Sequence, residues 1–209
     1  MERRHDLDAL RGLMLVLMTL THLPTRFADP LGQPFGFVSA AEGFVMLSGF
    51  MAGLVYTGRA QRHGVPVMRD AFLKRALKIY GVQAALLLFL FTTVAVIGVM
   101  AEQHAVQDLM SFYRLRPKAA LVGSLMLIYN PPLLDILPLY IVFMLASPVL
   151  LQHGLRHGWD GILGASIALW LAAQFDVGRA IYDAAVAITH LPIPFRETGA
   201  FEIFAWQFL

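Results

Sequence analysis

Two ionisable residues punctuate the first apolar stretch of the chain, Arg11 and His22, with ten residues between them. On an α-helix, eleven steps of about 100° total roughly 1,100°, about 20° past three full turns. Both side chains then share one stripe, about 16 Å apart along the axis. An ionisable group inside an apolar span is costly, which makes it a functional candidate by default. The imidazole of His22 exchanges a proton near neutrality and suits general-base work or the transient carriage of a transferred group; the plainer reading is a helix-end histidine at a membrane interface. Arg11 is a permanent, fork-shaped cation suited to phosphate, or else it snorkels to headgroups or pairs with Asp8. Glu42 reads as an acid about six residues into the second helix. It either orients and charge-balances His22, as acids do for catalytic histidines, or bonds between helices.

Further candidates are weaker. Lys74, Arg75 and Lys78 fall on one helix face and either bind phosphates or anchor the chain to anionic lipid. Ser48 has no Gly-x-Ser-x-Gly setting and is expected to hydrogen-bond within the bundle. Asp135 either meets a substrate hydroxyl or His22, or caps a helix start. His153 and His157 have the spacing of a metal pair, but with no acid or further histidine beside them they read as a solvated loop. No metal site is expected.

The elements that must position these residues are helices in a membrane. The 209 residues are 58% hydrophobic and 14% charged, with a mean hydropathy of +0.65. Soluble domains carry about a quarter charged residues, so this composition points to lipid. A net charge of +2 is too small to suggest nucleic acid. With no cysteine, disulfides, thiolate nucleophiles and Cys-based metal sites are excluded. Arg3 and Arg4 before an apolar run imitate a signal peptide. Arg11 interrupts that run, however, and the exit through Pro24 lacks a small-x-small cleavage pattern, so it reads as an uncleaved first helix.

The expected fold is an all-α, polytopic integral-membrane bundle with about five transmembrane helices and the start of a sixth. The spans fall at 7–23, 36–57, 76–100, 133–151 and 161–175, and a new apolar run opens at 199. Pro138 and Pro148 interrupt the fourth. Gly49 and Gly53 form a Gly-x-x-x-Gly pair in line with Glu42 and Met46, which puts Glu42 on a face packed against a neighbour. A basic loop separates the second and third spans, the piece 119–129 is too short to cross, and 176–198 is weakly amphipathic and broken by Pro192 and Pro194. With the N-terminus inside, ten of the 16 Lys and Arg residues fall on inner segments, which favours a cytoplasmic N-terminus. Arg11 then lies near the cytoplasmic face and His22 near the opposite one. A chain that stops at the start of a sixth span reads as the N-terminal portion of a longer protein.

The wording of the motifs is specific. Arg11-x10-His22 resembles the first-helix signature of the membrane acyltransferase-3 superfamily. Glu42-Gly43-Phe44-Val45-Met46-Leu47-Ser48-Gly49-Phe50 resembles its second-helix motif, and Phe72-Leu73-Lys74-Arg75-Ala76-Leu77-Lys78-Ile79-Tyr80 its basic motif. The stretches 7–12, 41–44 and 134–140 resemble the OpgC branch most. That resemblance implies a protein of about ten helices in the bacterial inner membrane that succinylates osmoregulated periplasmic glucans. It implies acyl-CoA, in the form of succinyl-CoA, as a co-substrate rather than a tightly bound cofactor. Arg11, Lys74, Arg75 and Lys78 would bind the donor from the cytoplasm, and His22, supported by Glu42, would act on the glucan hydroxyl. Ser48 and Asp135 would serve the acceptor or the structure. The competing reading is a proton-coupled transporter or channel with an Arg11, His22 and Glu42 relay.

Overall fold

A computed structural model describes residues 4–21, 39–100, 102, 110–131, 134 and 136–198, and among these every regular element is helical. The chain divides into two compact units, Met1–Arg69 and Asp70–Leu209.

In the first unit, α1 (His5–Thr21) packs against α2 (Ala40–His63). Arg11 lies over Phe44 and Met14 over Gly43, so the two chains run in opposite directions. Met14, Ala40 and Leu47 form the core, with Leu7, Leu17, Met18 and Phe44 packed around it. The approach depends on glycine: a Cβ on Gly43 would sit 3.2 Å from the Met14 sulfur. Between membrane helices, close packing of this kind supplies the attraction that water supplies elsewhere. The packed face is therefore Ala40, Gly43 and Leu47, and the expected Gly-x-x-x-Gly face is turned outward. Glu42, Met46 and Gly49 are exposed, and neither Gly49 nor Gly53 would meet a neighbour through an added Cβ. Spacing pointed to the Gly49 and Gly53 stripe, whereas the stripe through Gly43 is the one that meets Met14.

The expected basic loop is helical. α2 continues to His63, Gly64 breaks it in a left-handed conformation (φ +87°), and α3 (Val65–Phe89) starts at once with Pro66 in its first turn. Glycine meets that φ without the strain a side chain would add, and proline suits a first turn because its missing N–H would be unpaired there. Arg59 and Arg62 close α2, while Arg69, Lys74, Arg75 and Lys78 decorate α3.

α3 passes into one π-helical turn, Leu90–Val94, in which the Ala95 amide reaches back to the Leu90 carbonyl, and continues as α4 (Ala95–Met100). Within that turn the Tyr113 hydroxyl donates to the Phe91 carbonyl at 3.1 Å, and the two rings stack 4.2 Å apart. Tyr113 belongs to α5 (Ser111–Leu115), which leads into α6 (Pro117–Leu125), nine residues long and too short to span. Leu87, Phe91, Met110, Phe112, Ala120, Tyr129 and Ile193 form the core of the second unit.

α7 (Ile136–His157) carries Pro138 in its first turn and Pro148 in its interior. His153 and His157 fall in its last two turns rather than in a loop, with ring centroids 4.7 Å apart. α8 (Asp160–Gln174) is apolar and has no buried residue; it meets α9 (Val177–Thr189) at a bend of 78°. Region 176–198 is thus mostly helix, its chain reversal made by Asp176 and His190 in left-handed conformations. The Tyr182 hydroxyl ties α9 to the Ile193 carbonyl at 2.7 Å.

Three helical stretches are long and apolar enough to cross a membrane: Ala40–His63, Val65–Gly98 and Ile136–His157. The bent pair makes four if it counts as one span, so the expectation of five is met in part. α1 has 17 described residues, and 199–209, where a sixth span was expected, lies outside them. The third span is longer than expected because Val65 to Arg75 joins it. Its outward apolar side chains, such as Leu88 at 64% and Ile97 at 58% exposure, match a lipid-facing surface.

Candidate functional site

Arg11 sits one third of the way along α1, with its guanidinium carbon 5.5 Å from the Phe44 ring centre. Its nearest carboxylate is Asp8, 4.0 Å away and one turn earlier. At that distance the pair is loose, and the Arg11 Nε is buried with no hydrogen-bond partner among the described residues. The cation is therefore held by an aromatic face and one distant acid, leaving donor capacity unused.

Glu42 occupies the third position of α2, in its first turn rather than deep in the helix. Its Oε2 accepts from the Ser39 amide at 2.7 Å and the Ser39 hydroxyl at 2.8 Å, and the Glu42 amide donates to Ser39 Oγ at 3.2 Å. This is a complete capping box, in which residue and cap satisfy each other's orphan donors. The Ser-x-x-Glu spacing 39–42 is the signal for it, and it was visible in the chain. Because the two helices are antiparallel, the first turn of α2 lies at the end of the pair where α1 stops. His22 follows Thr21 directly but lies outside the described residues, as does Asp135 immediately before α7. Ser48 is buried, and its hydroxyl has no partner among the described residues, so the expected bundle hydrogen bond is not formed.

In the second unit, Lys74, Arg75 and Lys78 are all exposed, opposite the buried Phe72 and Ala76. Lys74 pairs with Asp70 at 2.7 Å, a surface contact one turn away that offsets part of the local positive charge. Among the described residues no group of three or more His, Asp or Glu could hold a metal, and His153 and His157 stand as a pair.

The family model described as OpgC protein matches residues 3–209. The chain belongs to the OpgC family. No curated protein and no solved structure matches it. Membership in OpgC suggests a glucan-modifying, acyltransferase-like role.

Within this OpgC chain, the motif residues divide between the two units: Arg11, Glu42 and Ser48 in the first, Lys74, Arg75 and Lys78 in the second. Sequence reasoning passed over the polar groups buried in the second. Gln83 is 1% exposed and Ser124 fully buried, and neither side chain finds a partner among the described residues. A signal existed, since Gln83 is the lone carboxamide in the apolar run 79–100. Tyr129 is equally buried; burial, together with the Glu197 carboxylate, pushes its phenol from 10.0 to about 12.

Proposed function

We propose that this OpgC-family chain carries the machinery of a membrane O-acyltransferase that moves an acyl group, succinyl in our reading, from acyl-CoA to a hydroxyl of a periplasmic glucan. The observation that carries the reading is the family match across residues 3–209. In the proposed step the His22 imidazole takes the hydroxyl proton as the hydroxyl oxygen attacks the thioester carbonyl. The new ester forms, the carbon–sulfur bond breaks, and the coenzyme leaves as a thiolate that the imidazolium reprotonates. Glu42 supports the histidine, and Asp135 serves the acceptor side or the helix start.

Arg11 and the Lys74, Arg75 and Lys78 group receive the donor phosphates from the cytoplasm. The unused Nε of Arg11 supports that role, because a half-buried guanidinium with an unpaired donor favours an added anion. In this reading the chain lies in the bacterial inner membrane with its N-terminus in the cytoplasm. Family membership favours transfer over the proton relay, and no observation favours the relay.

The test is glucan succinylation in cells and membranes carrying His22→Ala. Succinyl substituents should disappear while the membrane-inserted amount stays at the wild-type level. Wild-type succinylation in His22→Ala would overturn the mechanism.

A further inference from the structure

Gln83 lies near the middle of the 34-residue apolar stretch Val65–Gly98, yet it is almost wholly buried inside the second unit. Both its Oε1 and its Nε2 are without partners, and so is the Oγ of the fully buried Ser124. Among the described residues three buried polar atoms thus lack a partner, and a buried donor or acceptor left unmade is costly.

α3 and α6 meet within one turn of both residues. The Tyr80 hydroxyl donates to the Leu125 carbonyl at 3.0 Å, and further along α3 Leu87 shares a core with Ala120. Gln83 precedes Leu87 by four residues and Ser124 follows Ala120 by four, so each shares a helix face with a residue of that core. Gln83 also follows Tyr80 by three residues and Ser124 directly precedes Leu125, so both lie within one turn of the contact between the two helices. None of these six residues carries a charge. A carboxamide and a hydroxyl both donate and accept, which suits a small neutral group that does the same.

We propose that Gln83 and Ser124 form a binding site for a neutral hydroxyl, buried between α3 and α6. Two sources share this chemistry: water, and a hydroxyl of the sugar acceptor. The sugar source rests on the proposed glucan-acyltransferase reading; the site itself does not.

Gln83→Met and Ser124→Ala remove the polar atoms with little change of volume, so the fold is preserved. The full chain is purified in nanodiscs, and thermal midpoints are measured for wild type, both single variants and the double variant, with and without glucose. Comparing variants cancels the general stabilisation that any sugar gives by exclusion. If the site takes a sugar hydroxyl, glucose raises the wild-type midpoint further than that of either variant, with an apparent dissociation constant at least about tenfold weaker in the variants. If it takes water, glucose does not discriminate. Each single variant then lowers the midpoint, and the double variant costs less than the two summed, because one substitution strands the group that the other removes. If glucose does not discriminate and Gln83→Met leaves the midpoint unchanged or raises it, the groups are merely unsatisfied and the proposal is overturned. None of these readings uses acyl transfer, so a failed site is distinguishable from a failed mechanism at His22.

Discussion

Glu42→Gln separates two roles that the structure superposes on one carboxylate. As the third residue of a capping box, Glu42 needs an oxygen that can accept from Ser39, and glutamine supplies one. What the variant loses is negative charge near a helix N-terminus, worth about 0.3–1 kcal/mol at an exposed position. Ser39→Ala removes the cap itself and costs about 1 kcal/mol. Both losses are small beside a stability of roughly 5–15 kcal/mol, so the folded fraction barely changes. A carboxylate that orients or charge-balances a catalytic base is different, because its loss lowers turnover by roughly 10²–10⁴-fold. The assay is succinyl transfer from succinyl-CoA to glucan in membrane vesicles, with melting of the helical signal measured in parallel. We expect Glu42→Gln to melt close to wild type and lose at least about a hundredfold in kcat. Ser39→Ala should melt lower but retain activity within about threefold. If Glu42→Gln keeps wild-type turnover within that same margin, Glu42 is a helix cap and its support of His22 is refuted.

Three further outcomes follow from the geometry. Replacing Lys74, Arg75 and Lys78 together by Gln should raise KM for the acyl-CoA by about tenfold, more weakly at high salt, with kcat retained; loss of membrane insertion instead would make them lipid anchors. Gly123→Ala drives a Cβ into Ile193 Cδ1 and to 3.1 Å from Tyr129 Cβ, and should cost about 1–3 kcal/mol in thermal unfolding. Adding Ile193→Val, which removes Cδ1, should recover part of that loss, and no recovery would place the strain elsewhere. Tyr129 is held in its protonated form, so the stability tied to it is intact below pH 10 and falls as pH rises toward about 12. Tyrosinate absorbance should show a late-titrating phenol that Tyr129→Phe removes.

Much of the helical architecture was legible because apolar length is a direct physical requirement of the bilayer. The short piece at 119–129 and the spans near 36–57, 76–100 and 133–151 all follow from it, while 161–175 is one arm of a bent pair. What charge patterning concealed was continuity. The run 58–78 reads as a loop because its Lys and Arg residues lower hydropathy, yet those side chains extend outward from unbroken helix on either side of Gly64. The face of α2 was misassigned for another reason: Gly49 and Gly53 match a spacing rule, but only Gly43 lies where a partner side chain comes within 3.2 Å. In the site, residue type made Arg11 and Glu42 candidates. The capping geometry of Glu42 and the burial of Gln83 depended on where helices begin and what packs over them.

The π turn at Leu90–Val94 makes chain length itself a structural variable. One extra residue is accommodated there, so every position beyond Val94 is rotated by about 100° relative to an uninterrupted α-helix. Deleting a single residue from the turn would close it, shorten the stretch by about 1.5 Å and present α4 to its surroundings with a different side. The Phe91 carbonyl that Tyr113 reaches would be drawn back into the helical ladder, loosening the stacked rings from their anchor. A protein one residue shorter would match this one almost letter for letter and still differ from it along the whole remaining length of that helix.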